Sequence, residues 1–160
     1  PFKNTLNFNC SDAIVECEGN ILLIERKSVP GAGTWALAGG FKNSDETFLD
    51  CAIRELVEET NLKVPEKVLR GSIVNKRLFD FPNRGMGIAR NTLAVHIRIS
   101  PDNSGKLPKV KASDDAKSAK WVSLHDALNN HMLFDDHAAI ISTMTGVNPI
   151  PAYLNSIHSK

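Results

Sequence analysis

The alternation of apolar and polar positions predicts β-strands in several stretches of the chain. An apolar run over residues 12–17, the turn pair Gly19-Asn20 and a second apolar run over residues 21–26 together predict a β-hairpin. Residues 68–79 are rich in β-branched side chains and are predicted to contain a bent or interrupted strand. Further strands are predicted over residues 92–99 and over residues 119–122.

Apolar residues at helical spacing predict an amphipathic helix over residues 46–60, with Ser44 or Asp45 as its N-cap. Two more helices are predicted near the end of the chain, one capped by Ser123 and running through Leu128, the other starting at Asp135 or Asp136 and reaching about Met144. Strands, helix, strands and helices in this order predict a single α+β domain over residues 1–160, layered as an α/β/α sandwich.

The composition is that of an ordinary globular protein, with 42% hydrophobic and 23% charged residues. A net charge of +1 gives no reason to expect nucleic acid or a membrane surface as a partner. The three cysteines, Cys10, Cys17 and Cys51, are odd in number and widely spaced, so they predict no disulfide framework. A reducing, cytoplasmic compartment is the simplest expectation.

The predicted helix over residues 46–60 carries a ridge of carboxylates. Glu55, Glu58 and Glu59 stand at positions i, i+3 and i+4, which places them on one helical face. Like charges at this spacing repel, so solvent, salt or a divalent cation must offset the repulsion. Mg²⁺ prefers oxygen ligands and is usually bound by few carboxylates together with substrate phosphates. An acidic helix face exposed to solvent is the competing interpretation.

The full spacing around this ridge decides between the two interpretations. The residues fit the pattern Gly-x5-Glu-x7-Arg-Glu-U-x-Glu-Glu-x-Gly-U, in which U is aliphatic, at Gly40, Glu46, Arg54, Glu55, Leu56, Glu58, Glu59 and Leu62. A chance match in a chain of this length has a probability on the order of 10⁻⁶ at average residue usage. The segment therefore resembles the catalytic motif of Nudix hydrolases.

One position departs from that motif, because Asn61 stands where the family has glycine. The glycine follows the end of the helix, where a left-handed residue is favoured. Asn is the residue other than glycine that adopts this conformation most readily. We therefore expect the fold to be retained at a small cost in stability.

Segments outside the motif resemble the ADP-ribose pyrophosphatase domain of bifunctional nicotinamide mononucleotide adenylyltransferase/Nudix proteins. They include Ser11–Val15, Leu22–Arg26, Trp35–Phe41, Phe79–Arg84 and Phe134–His137. The resemblance implies a mixed sheet between helices, with the motif forming a loop-helix-loop. It also implies attack of water on a diphosphate, which converts ADP-ribose to AMP and ribose 5-phosphate.

The resemblance also implies roles for the motif residues. Glu55 and Glu59 would be the main metal ligands, helped by Glu58 and by a backbone carbonyl near Gly39 or Gly40, with Mg²⁺ as the expected ion and Mn²⁺ as an alternative. Arg54 would orient a motif glutamate, and Glu46 would support the loop-helix junction or an outer metal. The proton acceptor for water is left open between Glu58 or Glu59 and an acid of the loop 101–115, where Asp115 and Asp114 are the candidates.

Candidate substrate-binding residues lie outside the motif. Arginine matches phosphate with a fork of donors, and Arg26, which ends a predicted strand, is the best candidate, followed by Arg84, Arg77 and Arg90. Phe79 and Phe81 are candidates for stacking on adenine, although each could also be core. Trp35 is expected to pack in the core, and His137 is interpreted as a helix-start residue.

Two rival functions are compatible with the motif. The first is a Nudix hydrolase of another nucleoside diphosphate derivative, such as NADH, a nucleotide sugar or an oxidised nucleoside triphosphate. The second is a domain that senses ADP-ribose without cleaving it, although such domains typically lose motif glutamates. Family members are often dimers that complete the site across their interface, so the resemblance leaves a homodimer open.

Overall fold

A mixed β-sheet forms the middle layer of the computed structural model, which describes residues 6–85, 89–113 and 116–151. The elements along the chain are β1 (Phe8–Cys17), β2 (Asn20–Arg26), β3 (Trp35–Ala36), β4 (Ala38–Phe41), α1 (Phe48–Thr60), α2 (Glu66–Gly71), β5 (Ile73–Phe79), β6 (Arg90–Arg98), β7 (Ala116–Ser123), α3 (Leu124–Asn130) and α4 (His137–Thr145). Within the described residues the main strand order is β3-β2-β1-β6-β5, with β4 paired to β1 and β7 paired to β2.

Strand β1 is the centre of this sheet. It forms the predicted antiparallel hairpin with β2 and runs parallel to β6 over its whole length. Its first half also pairs with β4, which places Asp12 opposite Gly39. On the other edge of the strand Asp12 lies opposite Ala94 of β6. The register therefore brings a carboxylate into the middle of the sheet, next to the segment that leads into α1.

Alternate residues of β1 supply two separate cores, one on each face of the sheet. Ala13 and Val15 pack with the α1 residues Ala52, Ile53 and Leu56. Ile14 packs with α3 and α4 on the opposite face, against Ala127, Ile140 and Ile141. Both faces of the strand are buried, which explains its nearly continuous apolar sequence. This arrangement confirms the predicted α/β/α layering.

The N-cap predicted for α1 was wrong, and helix α2 was not predicted. Helix α1 is capped by Thr47, not by Ser44 or Asp45, because the Thr47 side chain accepts from the Asp50 N–H while the Asp50 carboxylate accepts from the Thr47 N–H. Residues 68–79 contain the predicted strand at Ile73–Phe79, whose register shifts between Ile73 and Asn75, but the first part of the range belongs to α2. The α2 helix follows Pro65 and is supported by an ion pair between Glu66 and Arg70 at helical spacing.

The predictions made for the helix ends were confirmed. Asn61 ends α1 in the left-handed conformation, with φ 47° and ψ 35°, where the family motif has glycine. Ser123 caps α3 by accepting from the Asp126 N–H, and Asp136 directly precedes α4. The three cysteines are free and buried. No helix within the described ranges is long and apolar enough to cross a membrane.

Candidate active site

Helix α1 is fixed against β1 and β4 at its N-terminal end. The Ser11 hydroxyl on β1 donates to the Phe48 carbonyl at 2.6 Å, and the Cys51 thiol lies 3.6 Å from the Gly40 carbonyl. The buried residues Ile53 and Leu56 anchor the same helix in the core. These contacts hold the glutamates of α1 in a defined position, as a catalytic site requires.

Arg54 is the centre of a hydrogen-bonded group that we name the outer cluster, formed by Glu46, Arg54 and Glu58. Its guanidinium donates to both Glu46 oxygens, at 2.9 and 2.7 Å, and to Glu58 at 3.1 Å. The same guanidinium also reaches Glu55 Oε1 at 2.9 Å. Hydrogen bonds from Arg54 and from the Asn43 N–H lower the pKa of Glu46 to about 2. Arg54 therefore contacts several motif glutamates, and its orienting role and the supporting role of Glu46 stay predictions.

Glu55 and Glu59 lie beside each other on the side of α1 that faces β4. The Gly39 N–H donates to Glu59 Oε1 at 3.0 Å, and the carboxyl of Glu55 is within hydrogen-bonding reach of Glu59. A Cβ atom at Gly40 would lie 2.5 Å from Glu55 Oε1, so only glycine permits this approach. Burial, together with the neighbouring Glu55, raises the pKa of Glu59 to about 8 despite the Gly39 N–H.

This pair has the chemistry of a divalent-cation site. Among the described residues, the only cationic group hydrogen-bonded to either carboxylate is the Arg54 guanidinium at Glu55, and the Gly39-Gly40 backbone lies next to both side chains. Oxygen donors of this kind are those that Mg²⁺ and Mn²⁺ prefer. Glu58 is turned away toward Arg54 and its side chain is 59% exposed. No group of three acidic, His or Cys side chains among the described residues is arranged to hold a metal ion.

A cavity of about 370 Å³ opens beside Glu59. Apolar side chains form part of its wall, including Ile24, Leu37, Phe41 and Phe134. Its charged and polar lining consists of Asp12, Arg26, Glu59, Arg84, Arg90, Thr92 and His137. An apolar pocket with a few converging polar groups is the usual form of a small-molecule site.

Asp12 and His137 form the floor of this cavity. The Leu37 N–H donates to His137 Nδ1 at 3.0 Å, so the neutral ring carries its proton on Nε2, which lies 3.6 Å from Asp12 Oδ2. Burial raises the pKa of Asp12 and lowers the pKa of His137. His137 is the first residue of α4, as predicted, but it also connects α4 to β1 and to the chain between β3 and β4.

Three arginines line the cavity and differ in the groups that they contact. The Arg26 guanidinium lies 4.0 Å above the Phe134 ring and donates to the Pro30 carbonyl at 3.0 Å, and burial lowers its pKa. Arg84 is committed to two hydrogen bonds with Asp136 and one with the Phe79 carbonyl. Arg90 pairs with Asp135 through one terminal nitrogen. Arg26 is therefore the one of the three without a carboxylate partner among the described residues.

A family model described as "NUDIX domain" matches residues 11–144 of this chain. The chain belongs to the NUDIX family. This assignment confirms the predicted Nudix fold and the prediction of a Nudix hydrolase.

Two relatives of this Nudix domain have names that refer to ADP-ribose. An ADP-ribose pyrophosphatase of Methanocaldococcus jannaschii is 36% identical over 130 residues, which cover 81% of this chain and 68% of that protein. The ADPR responsive transcriptional repressor NtrR of Acinetobacter baylyi is 28% identical over 80% of this chain and 48% of the repressor.

Among solved structures, a bifunctional NMN adenylyltransferase/ADP ribose pyrophosphatase of Francisella tularensis, complexed with AMP and a manganese ion, superposes with a TM-score of 0.83 at 33% identity. The match covers 91% of this chain and 43% of that protein. The Nudix chain described here thus spans less than half of the Francisella protein.

Some of the site residues that the sequence suggested line the cavity, and others do not. Arg26 and Arg84 line the cavity, as does Glu59. Phe79 is buried in the core and Phe81 is 68% exposed, and neither lines the cavity. Asp114 and Asp115 fall outside the described residues.

Sequence reasoning missed Asp12, Phe41 and Phe134 as cavity residues. A charged residue at the start of a predicted buried strand was the available signal for Asp12. His137 was noticed, but its role at the cavity floor was not predicted.

Proposed function

We propose that this Nudix domain hydrolyses the diphosphate of ADP-ribose to AMP and ribose 5-phosphate with the help of Mg²⁺. In this reaction water attacks one phosphorus, the phosphorus–oxygen bond to the bridging oxygen breaks, and the bridging oxygen leaves with the other phosphate. The activity would contribute to NAD turnover. Mn²⁺ is an alternative ion, since both metals suit carboxylate ligands.

The adjacent carboxylates of Glu55 and Glu59 at the edge of the cavity carry this proposal. They lie against the Gly39-Gly40 backbone, and Glu59 itself lines the cavity that also contains Arg26. A cation site and a guanidinium on the same cavity provide two kinds of group that bind a diphosphate. The outer cluster contains equally many carboxylates, but both of them already accept hydrogen bonds from its guanidinium.

We assign the following roles to the residues of the chain. Glu55 and Glu59 would hold the cation, with a carbonyl of Gly39 or Gly40 and with Glu58 as further donors. Held by these residues, the cation would supply positive charge against the diphosphate and would lower the pKa of the attacking water. Arg54 keeps Glu55 in position, and Arg26 binds a phosphate oxygen. Glu58, Glu59 and Asp115 stay the candidates for proton acceptor, and Arg84 holds the wall of the cavity through Asp136.

The relatives favour ADP-ribose over the other Nudix substrates. The M. jannaschii relative is described as an ADP-ribose pyrophosphatase, and it is matched over most of both chains. The F. tularensis structure contains AMP, one of the two proposed products, together with manganese. For this chain, a cavity with both apolar walls and polar groups suits a ligand with a base, sugars and phosphates.

A non-catalytic ADP-ribose sensor is the second candidate, because the A. baylyi relative is described as an ADPR responsive repressor. The two candidates share a ligand and differ in turnover. The complete set of motif glutamates, Glu46, Glu55, Glu58 and Glu59, favours the enzyme.

Three further predictions stay open: a single domain over 1–160, a cytoplasmic location and a homodimer.

The experiment is a substrate panel with the wild-type protein and Mg²⁺. ADP-ribose, NADH, GDP-mannose and 8-oxo-dGTP are incubated separately, and the products are quantified by chromatography. We expect ADP-ribose to be converted fastest, to AMP and ribose 5-phosphate in equal amounts. Faster conversion of another compound would replace the substrate but keep the reaction. Binding of ADP-ribose without turnover of any compound would support the sensor.

A further inference from the structure

The carboxylate of Asp12 is a hydrogen-bond acceptor on the lining of the cavity. Its side chain is 10% exposed, and its oxygens are not among the atoms that are both fully buried and unpaired, which is consistent with access from the cavity. None of the hydrogen bonds found among the described residues ends on this carboxylate, and it lies 3.6 Å from His137 Nε2. A carboxylate with so little exposure normally accepts hydrogen bonds. A bound ligand can supply them.

The arginines that line the same cavity are engaged elsewhere. Arg84 donates to Asp136, and Arg90 pairs with Asp135. The Arg26 guanidinium donates to a loop carbonyl and lies over an aromatic ring. Within the described ranges no guanidinium therefore competes with a ligand for the Asp12 carboxylate by hydrogen bond.

The position of Asp12 relates it to the proposed cation site. Asp12 lies opposite Gly39 in the sheet, and a Cβ atom at Gly39 would overlap Asp12 Oδ1, so the absence of a side chain there gives the carboxylate its space. The Gly39 N–H donates to Glu59 Oε1 at 3.0 Å. A ligand group bound by Asp12 would therefore lie beside a phosphate bound at Glu59. In a nucleotide, the group directly joined to the phosphate is the sugar.

The chemistry of an ionised carboxylate restricts what this group can be. The carboxylate offers two acceptor oxygens and no donor. It repels a phosphate, and it matches only half of an adenine edge, where an amino donor stands beside a ring nitrogen that accepts. The two neighbouring hydroxyl groups of a ribose present two donors side by side. They are the part of a nucleotide that fits an acceptor of this kind.

We propose that Asp12 determines specificity by accepting hydrogen bonds from the 2- and 3-hydroxyl groups of a ribose of the substrate. This inference rests on the proposed function, because ADP-ribose supplies the sugar. Each of its two riboses is joined to phosphate at the 5-position, so each can present its hydroxyl groups to Asp12. The choice of probes distinguishes these two sources.

The test measures binding by calorimetry in the presence of Mg²⁺, so that it does not depend on hydrolysis. One probe pair is AMP and 2′-deoxy-AMP, and the other is ribose 5-phosphate and 2-deoxyribose 5-phosphate. The wild-type protein should bind the intact member of one pair about tenfold more tightly than its deoxy form. A preference in the AMP pair assigns the adenosine ribose, and a preference in the other pair assigns the terminal ribose. Asp12→Asn should weaken binding of the preferred probe about tenfold and reduce the preference to about twofold or less.

The matched control is Glu16→Gln on the same strand. Glu16 also contacts a buried histidine, His96 Nε2 at 2.8 Å, but it does not line the cavity. The control should bind all four probes as the wild type does. If thermal melting shows that Asp12→Asn does not fold, a crystal structure of the wild type with its preferred probe carries the test. A ribose hydroxyl oxygen should then lie within about 3 Å of an Asp12 carboxylate oxygen.

Two results would overturn the inference. The first is a wild-type protein that binds intact and deoxy probes equally well, or that binds none of the four. The second is a preference that is unchanged in folded Asp12→Asn or, where that variant does not fold, a bound probe whose hydroxyl groups lie away from Asp12. Absence of ADP-ribose hydrolysis would refute the proposed enzyme but would leave the hydroxyl preference measurable.

Discussion

Two groups of charges lie on either side of helix α1 and differ in how they are paired. In the outer cluster, Arg54 donates to Glu46 and Glu58, and little hydrogen-bonding capacity is left for a ligand. Around the cavity, Glu59 is held near a second carboxylate, and among the described residues no hydrogen bond reaches the Asp12 carboxylate, which lies 3.6 Å from His137 Nε2. Since charges paired within the protein stabilise its own structure, the unsatisfied groups mark the surface that a ligand completes.

The sharpest test of this difference compares two neighbouring glutamates of α1. Glu59→Gln should lower kcat/KM for ADP-ribose about 10³-fold, because the carboxylate at the cavity is lost. Glu58→Gln should cost about tenfold or less, since Glu58 faces Arg54 and solvent. AMP formation under identical Mg²⁺ concentrations provides the measurement. Equal losses in the two variants would contradict the distinction between the two sides of the helix.

Arg26→Lys should have the next largest effect. Lysine keeps the charge but loses the planar fork and the stacking on Phe134, so KM for ADP-ribose should rise about tenfold with a smaller change in kcat. Arg77→Lys is a matched control, because Arg77 lies 5.6 Å from the centre of the Phe79 ring and does not line the cavity. An equal rise in KM in both variants would remove the case for a phosphate contact at Arg26.

The outer cluster should respond to acid through stability. The pKa of Glu46 is about 2 in the folded protein, against an ordinary value of 4.5, so its ionised form stabilises the fold above pH 4.5. That contribution is lost as the pH falls from 4.5 toward 2. Glu46→Gln should therefore be less stable than the wild type at pH 7, and the difference should disappear near pH 2. Urea denaturation at several pH values checks this, and a difference independent of pH would contradict it.

The smallest effect is expected at the end of α1. Asn61→Gly restores the residue of the family motif and relieves the left-handed backbone at φ 47°. It also removes the hydrogen bond from Asn61 Nδ2 to the Lys111 carbonyl at 2.8 Å. These changes oppose each other, so the free energy of unfolding should change by less than about 0.5 kcal/mol. A larger gain in stability would show that the asparagine is strained.

The parts of the fold that were predicted well depend on residues that are close together in the sequence. The hairpin follows from two apolar runs and one turn pair, and the end of α1 follows from the preference of Asn61 for a left-handed backbone. Helix α2 was missed, because the β-branched residues within 68–79 outweighed the helix signals at Pro65 and in the Glu66–Arg70 pair.

The candidate site was predictable only where its residues are close in sequence. The spacing of Arg54, Glu55 and Glu59 was sufficient to predict that these side chains lie together, as the Arg54–Glu55 and Glu55–Glu59 contacts show. The floor of the cavity joins Asp12 to His137, which are 125 positions apart, through the sheet register and the start of α4. No local pattern encodes such a contact, and the exposure of Phe81 likewise depends on how the loop after β5 lies on the sheet.

A crystal structure with Mg²⁺ and the ADP-ribose analogue that has a methylene bridge between its phosphates would test the central claim most directly. We predict that the diphosphate lies between Arg26 and the Glu55–Glu59 pair, with the remainder of the ligand in the cavity. A ligand bound instead in the groove on the outer face of α1, between Arg54 and Arg70, would contradict the account.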